Sequence, residues 1–406
     1  MKIEDKLRDV QKKLEEEGLD GWLLYDFRCS NDLAFEFLEI PAEKFFTRRF
    51  FYWIPSRGKP IKIVHRIESE NLDHLPGDKW RYLAWQELES HVEKVLSGAK
   101  RIAMEYSPRN AIPYVSKVDA GTMDMVRDCG VEVVSSADFL QIYTSVWDKH
   151  KLKTHLEAAD VLDQVVAKSW ELIAKKLKGG QELTEYDVQQ FILSEFEKHN
   201  CITEGPPICA TNEHAADPHY IPASNGSSLI KEGDFILIDL WCKKNVPYAT
   251  YGDITRVGVA AKSPTARQQE IFSIVKDARD FGTQLVKERF ERQEPLMGWE
   301  IDAACRKVIE DAGYGEYFIH RTGHNIDVND HGNGAHIDNL ETQDKRRILL
   351  GTCFSIEPGI YIPGELGVRL EYDVVVHHDG TVQVTGGIQE SITCIMTSEA
   401  YTSGIS

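Results

Sequence analysis

Four carboxylates in this chain stand inside stretches that otherwise read as buried β-strand, and that limits what the chain can fold into. Asp239 interrupts FILIDLWC, Asp253 opens DITRVGVA, Glu357 sits in FSIEPGIYI and Glu371 in VRLEYD. Asp is disfavoured in strand interiors. A buried carboxylate is costly unless it is paired or holds a metal. Asp239 alone reads equally well as a lysine's partner or a turn cap. A hairpin that brings Asp239 and Asp253 side by side says more, because it sets like charges together and a cation between them relieves the repulsion. His324, in RTGHNID beside Gly323, adds an imidazole, and His320 and His331 flank it. Four carboxylates and one imidazole form an oxygen-rich set that suits Mn2+, Co2+ or Zn2+. The set exceeds the needs of one catalytic ion, so two ions sharing carboxylates fit better. HEXXH is absent. His320-Arg-Thr-Gly-His324 has helical histidine spacing without the glutamate, and its glycine suits a strand or turn.

At 406 residues the chain is long for one core, and two domains are expected. With 42% apolar and 28% charged residues the composition is that of a globular protein. The net charge of -18 and the lack of a basic stripe argue against nucleic acid as a partner. None of the eight cysteines is in a CxxC pair, which favours reduced thiols over disulfides. The N-terminal MKIEDKLRDVQKKLEEEG reads as a charged amphipathic helix and not a signal peptide. No apolar run reaches the roughly 18 residues of a membrane span. No membrane association is expected, and the expected location is cytoplasmic.

Up to about Tyr143, strand and helix patterns alternate. GWLLY, FFYWIP, IKIVHRI, RIAMEY and VEVVSS read as strands, with helices near 86–96 and 114–128, which makes an α/β domain. Residues 148–177 break the pattern with one long helix whose apolar stripe is Leu152, Leu156, Ala159, Leu162 and Val166. TEYD caps a second helix over 184–198. Strands are then expected at 235–242, 254–260, 354–362 and 372–380, with helices over 265–289 and 298–313. The expected domains are therefore 1–147 and 148–406.

The order Asp, Asp-Ile-Thr-Arg, Thr-Gly-His, Glu-Pro-Gly-Ile-Tyr, Arg-Leu-Glu resembles the pita-bread metallopeptidases. The two-domain layout is similar to their prolidase and aminopeptidase P branch. The resemblance implies an α/β N-terminal domain followed by an α+β pita-bread catalytic domain. It implies that Asp239, Asp253, His324, Glu357 and Glu371 bind two divalent ions, Mn2+ first and Co2+ or Zn2+ as alternatives, with Asp253 and Glu371 bridging. His219 in DPHY, His320 and His331 match the family's further active-site histidines, and Glu357 doubles as a proton shuttle. Arg369 matches the arginine beside the last ligand. Together with Arg321 it is a candidate for holding a substrate carboxylate. Relatives are homodimers in which the N-terminal domain of one subunit covers the other's site. The aromatics of 45–53 are a candidate cover, with plain core as the other reading.

Three stretches depart from the family text. Asp239 and Asp253 are fourteen residues apart, so their hairpin is enlarged. Asn325 and Asp327 stand where glycines are common, and GNGAHIDNLET follows His331 in place of an acid and a proline. These departures bear on substrate choice. The implied activity is a dinuclear-metal exopeptidase acting on short peptides at Xaa-Pro bonds. The alternatives are a carboxypeptidase-like member of the same fold and a non-catalytic or creatinase-like protein, though relatives of the latter kind lack the ligands that are all present here.

Overall fold

The structure is a computed structural model that describes residues 3–41 and 43–397. The outer ends of both expected domains, residues 1–2 and 398–406, lie outside the described residues. The chain divides into two compact units at Thr144/Ser145, three residues before the expected boundary.

The first unit runs α1 (Ile3–Glu16), β1 (Gly21–Asp26), α2 (Asp32–Phe37), β2 (Phe50–Pro55), β3 (Ile61–His65), β4 (Asp78–Tyr82), α3 (Trp85–Leu96), β5 (Arg101–Met104), α4 (Ala120–Asp128), β6 (Glu132–Ser135) and α5 (Ala137–Thr144). Its six-stranded sheet has the order β4-β3-β2-β1-β5-β6. The period-2 pattern of GWLLYD explains how it is covered. Trp22 and Leu24 join the core under α1, α2 and α5, whereas Leu23 and Tyr25 join the core under α3 and α4. Among the aromatics of 45–53, Phe46, Phe50, Phe51, Tyr52 and Trp53 are core, and Phe45 is exposed. The helix expected over 114–128 begins only at Ala120, because residues 113–115 form a separate turn.

The second unit opens with α6 (Lys149–Lys178) and α7 (Glu185–Lys198). The Thr184 hydroxyl and the Asp187 carboxylate form the expected capping box. The buried face of α6 is turned slightly from the expected stripe. It runs through His155, Ala158, Ala159, Leu162 and Val166, and Leu152 and Leu156 are only half-buried. Next come β7 (Cys201–Ile202), β8 (Ile208–Thr211), β9 (Phe235–Lys244) and β10 (Gly252–Val259), then α8 (Ala266–Glu291), α9 (Gly298–Asp311) and β11 (Asn325–Ile326). The chain continues through β12 (Thr352–Ile356), β13 (Gly359–Ile362), β14 (Leu366–Arg369), β15 (Tyr372–Val376), β16 (Val382–Thr385) and β17 (Thr393–Cys394).

These strands form one sheet of order β17-β10-β9-β7, with β8 also on β9, a second of order β11-β12-β15-β16, and the ribbon β13-β14. Ile236, Ile238 and Leu240 of β9 pack under α6 and α7. Phe235 and Leu237, of opposite parity, pack toward α8 and α9. The single strand expected over 354–362 is two strands, β12 and β13, separated at Glu357-Pro358. Proline has no N–H for the ladder.

Candidate metal centre

Parity places the first two acids. Asp239 lies on the face of Leu237, away from α6 and α7, and Asp253, Thr255 and Val257 lie on the matching face of β10. The acids are not directly opposite one another. Asp239 pairs with Thr255 and Asp253 with Trp241, a two-residue offset that keeps both on one face. Glu371, just before β15, and Asp373 within it meet this face. The Asp253 N–H donates to Asp373 Oδ2 at 2.9 Å, and the Thr255 hydroxyl donates to Glu371 Oε2 at 2.6 Å.

His324 enters from the loop before β11. Gly323 is required there, because a Cβ would stand 2.0 Å from the Ser355 carbonyl oxygen. Ser355 Oγ accepts from the His324 N–H at 3.0 Å, and the Glu357 N–H donates to the Thr322 carbonyl at 2.7 Å. His324 and Glu357 are thereby fixed against each other. His324 Nε2 lies 3.3 Å from Glu357 Oε1 and 3.7 Å from Asp253 Oδ2. Arg369 closes the group: it donates to Asp239 Oδ2, to Tyr361 Oη at 3.0 Å and to Thr255 Oγ1 at 3.0 Å.

The electrostatics of this cluster are those of a cation site. His324 Nδ1 faces only carbonyl oxygens, of Asp330 at 3.2 Å and Asn325 at 3.4 Å, so Nδ1 carries the proton. Burial, then His331 and Arg321, hold the ring well below its usual pKa, hence neutral. Its Nε2 lone pair therefore points at two carboxylate oxygens. Asp253 Oδ1 and Glu371 Oε1 are buried and accept no hydrogen bond. Burial, then Glu371, Asp330 and Asp239, drive Asp253 well above the usual carboxylate range. Burial, then Glu357 and Asp239, do the same to Glu371. Glu357 is pushed up to about 7 by burial and by Asp239, with Arg369 and Arg321 opposing. A lone pair, two orphaned oxygens and mutually repelling carboxylates all fit a divalent cation, and the atoms of Asp253, His324 and Glu371 lie within 4.8 Å of one another.

The three other histidines differ in what they can reach. His320 is enclosed. Its Nδ1 donates to the Arg321 carbonyl at 2.6 Å, so its Nε2 accepts from the Tyr361 hydroxyl at 2.7 Å. Both nitrogens thus have protein partners. His331 has a side chain 60% exposed, and its ring centroid is 4.1 Å from that of His324. Its pKa is pushed down by the protein around it, then by Arg321 and His219. His219 is exposed and lies in electrostatic reach of His331. Arg321 is buried, with a guanidinium nitrogen 3.4 Å from His331 Nδ1.

Two further acids, Asp330 and Asp373, belong to this cluster. Asp330 has a buried, unpartnered Oδ1, and its ligand-capable atom lies within 4.8 Å of those of His324 and His331. It sits in a polar loop, where an acid draws no notice. Asp373 is fully buried and pushed up to about 8 by burial, yet its parity with Glu371 and its place in YDVVV marked it. Asn325 and Asp327, which replace glycines, brace the loop. Asn325 Nδ2 donates to the Cys353 carbonyl at 2.8 Å, and Asp327 pairs with Lys151 at 2.5 Å.

Residues 153–378 match Metallopeptidase family M24. An uncharacterized peptidase of Staphylococcus epidermidis is 25% identical over 92% of this chain and 97% of its own length. An uncharacterized peptidase of Staphylococcus saprophyticus is 32% identical over 50% of this chain, and one of Schizosaccharomyces pombe is likewise 32% identical over 50%. The chain spans about half the length of these last two, 51% and 42%. Among solved structures, a dipeptidase PepE from Mycobacterium ulcerans superposes with a TM-score of 0.70 at 24% identity, covering 97% of this chain and 98% of that one. A prolidase from Thermococcus sibiricus superposes at 0.65 and 22% identity, covering 97% and 99%. These likenesses show the two-unit pita-bread fold. Among the described residues no helix is long and apolar enough to cross a membrane.

Proposed function

The chain belongs to metallopeptidase family M24, and from that premise we propose that it is a two-metal exopeptidase that hydrolyses short peptides at Xaa-Pro bonds. One observation carries the metal part of this reading. The neutral His324 presents an Nε2 lone pair to carboxylate oxygens 3.3 and 3.7 Å away, an arrangement that a cation between them makes favourable. Asp239, Asp253, His324, Glu357 and Glu371 would hold the ions, and Mn2+ is the first choice of ion. When bound, such ions supply an acidified water and a polarised carbonyl. The chain's own residues do the rest. Glu357 moves a proton from the attacking water to the departing amine. His219 and His331 line the outer side and donate to the oxygen of the tetrahedral intermediate. His320 holds Tyr361, which with Arg369 fixes Asp239 in place. The Xaa-Pro preference is supported by the likeness to the prolidase named above.

A second reading, a carboxypeptidase-like enzyme, is favoured by Arg321, a guanidinium beside His331 at the same centre. Arginine matches a free carboxylate with two planar donors. Metal analysis of the purified protein, followed by hydrolysis of Xaa-Pro dipeptides, Xaa-Pro tripeptides and their proline-free analogues after Mn2+, Co2+ or Zn2+ addition, separates these readings. Cleavage of dipeptides alone indicates prolidase, and cleavage of longer Xaa-Pro peptides from the N-terminus indicates aminopeptidase P. No bound metal and no peptide hydrolysis with any of the ions overturns both. The same reading makes the protein a homodimer, which light scattering measures.

A further inference from the structure

His219 lies in a long connection that leaves β8 at Thr211 and runs to Ser228, and its regular structure among the described residues is one short turn, Asn212–Ala216. A segment with so little structure of its own needs outside anchors to hold a side chain in one place. At one point it presses on the β13-β14 ribbon, where a Cβ on Gly367 would stand 1.7 Å from the Ala215 carbonyl oxygen. Asn212 ties its start to Asp234 and to the Phe235 N–H, and one buried carboxylate gathers the rest.

Glu185, the first residue of α7, is 0% exposed. It is not the helix's capping acid, because Asp187 fills that role. Instead both of its oxygens turn to the segment. Oε1 accepts from the Thr211 N–H at 2.7 Å and the Thr211 hydroxyl at 2.8 Å. Oε2 accepts from the Tyr220 hydroxyl at 2.6 Å and the Ser228 N–H at 2.8 Å. His214 Nδ1 lies 3.0 Å from each oxygen, and its ring stacks on Tyr220 with centroids 4.4 Å apart. The beginning, middle and end of the segment thus converge on one buried group. His219 sits directly before Tyr220, and its own N–H donates to Asp217 Oδ1 at 3.0 Å.

We infer that Glu185 is the positioning residue for His219: it fixes the wall that carries this histidine opposite His331 and takes no part in metal binding. This rests on the reading above that His219 acts in peptide hydrolysis. The alternative is that Glu185 only stabilises the fold. An amide at this position keeps the shape but offers one acceptor oxygen, and it sets an NH2 against donors that need an acceptor.

The test is a double-variant cycle on the metal-loaded protein, with Glu185→Gln, His219→Ala and the two combined. Metal content, thermal midpoint, kcat and KM are measured for each on a cleaved dipeptide. Expected results are unchanged metal content throughout and a loss of about tenfold or more in kcat/KM for each single variant. The combined variant is expected within about twofold of His219→Ala alone, because nothing is left to position. If the two losses multiply, or if Glu185→Gln keeps wild-type kcat/KM, the inference is overturned while the role of His219 stands. If His219→Ala is fully active, the catalytic reading of His219 fails, and the inference falls with it. Should Glu185→Gln not fold, Tyr220→Phe replaces it in the same cycle. That variant removes one donor, and its smaller loss must likewise vanish in the His219→Ala background.

Discussion

The Thr255 hydroxyl donates to Glu371 Oε2 at 2.6 Å, so a side chain that binds no metal sets the angle of one that is proposed to. Thr255 Oγ1 also receives Arg369 Nε at 3.0 Å and lies 3.2 Å from Asp239 Oδ1, which links two sheets through one hydroxyl. Thr255→Val keeps the shape and removes the link. Metal affinity is expected to fall about 10- to 100-fold, measured by chelator competition, with Thr255→Ser close to wild type. Unchanged affinity in the valine variant would show that Glu371 needs no such support.

Asp253→Ala is expected to abolish activity and lower metal content. The carboxylate is buried with one unpartnered oxygen, and on the proposed assignment its removal would take away a ligand of the metal centre. Elemental analysis that still finds two ions per chain, with near-normal turnover, would sink the ligand assignment.

His331→Ala is expected to keep the metal yet lose about 100-fold in kcat, the usual contribution of an acid-base or oxyanion partner. The motive is a ring beside that of His324 whose side chain remains 60% exposed. Loss of metal in this variant would instead make His331 a ligand.

Arg321, beside His331, is the arginine proposed to meet a free substrate carboxylate, since Arg369 directs its donors at Asp239, Tyr361 and Thr255. Comparing a dipeptide with its C-terminal amide tests this. A tenfold loss for the amide corresponds to about 1.4 kcal/mol in the transition state, and Arg321→Ala should erase the difference. Equal kcat/KM for acid and amide means that no carboxylate is read.

Acid should destabilise the fold through His155, away from the ligands. This histidine is fully buried on α6. It hydrogen-bonds the Tyr251 carbonyl at 2.7 Å and the Thr385 hydroxyl at 2.7 Å. Burial lowers its pKa from 6.5 to about 4. The unfolded chain therefore binds a proton that the folded chain does not. The contribution is full above pH 6.5 and is lost as pH falls toward 4, by up to about 3 kcal/mol. Denaturation of His155→Gln at pH 7 and pH 4.5 should show a shallower pH dependence than wild type. An equal slope would rule His155 out.

The acids were legible because each broke an apolar strand, a local signal of period two. What depended on three-dimensional convergence was not legible. Glu185 reads in TEYD as one more acid in a helix's first turn, and only the fold brings Thr211, Tyr220 and Ser228 onto it. Asp330 sits in a polar loop where an acid costs nothing to explain. β4, DKWRY, was missed because its burial does not alternate. The break between β12 and β13 was missed because the apolar run continues across Glu357-Pro358, although the proline announced it.

Asp239 and Asp253 both lie inside the paired part of the β9-β10 hairpin, whose last pair is Cys242 with Gly252. Beyond that pair Lys243 and Lys244 pair with β7, and Ala249, Thr250 and Tyr251 are buried, so the exposed tip is residues 245–248. Its length can therefore change by any number, odd or even, without turning either acid, whereas a single residue inserted between Asp239 and Cys242 would reverse the facing of one strand relative to the other. The tip is thus a permissive place for lineages to vary and for engineers to graft a peptide or a reporter, a few residues from chemistry that must not move.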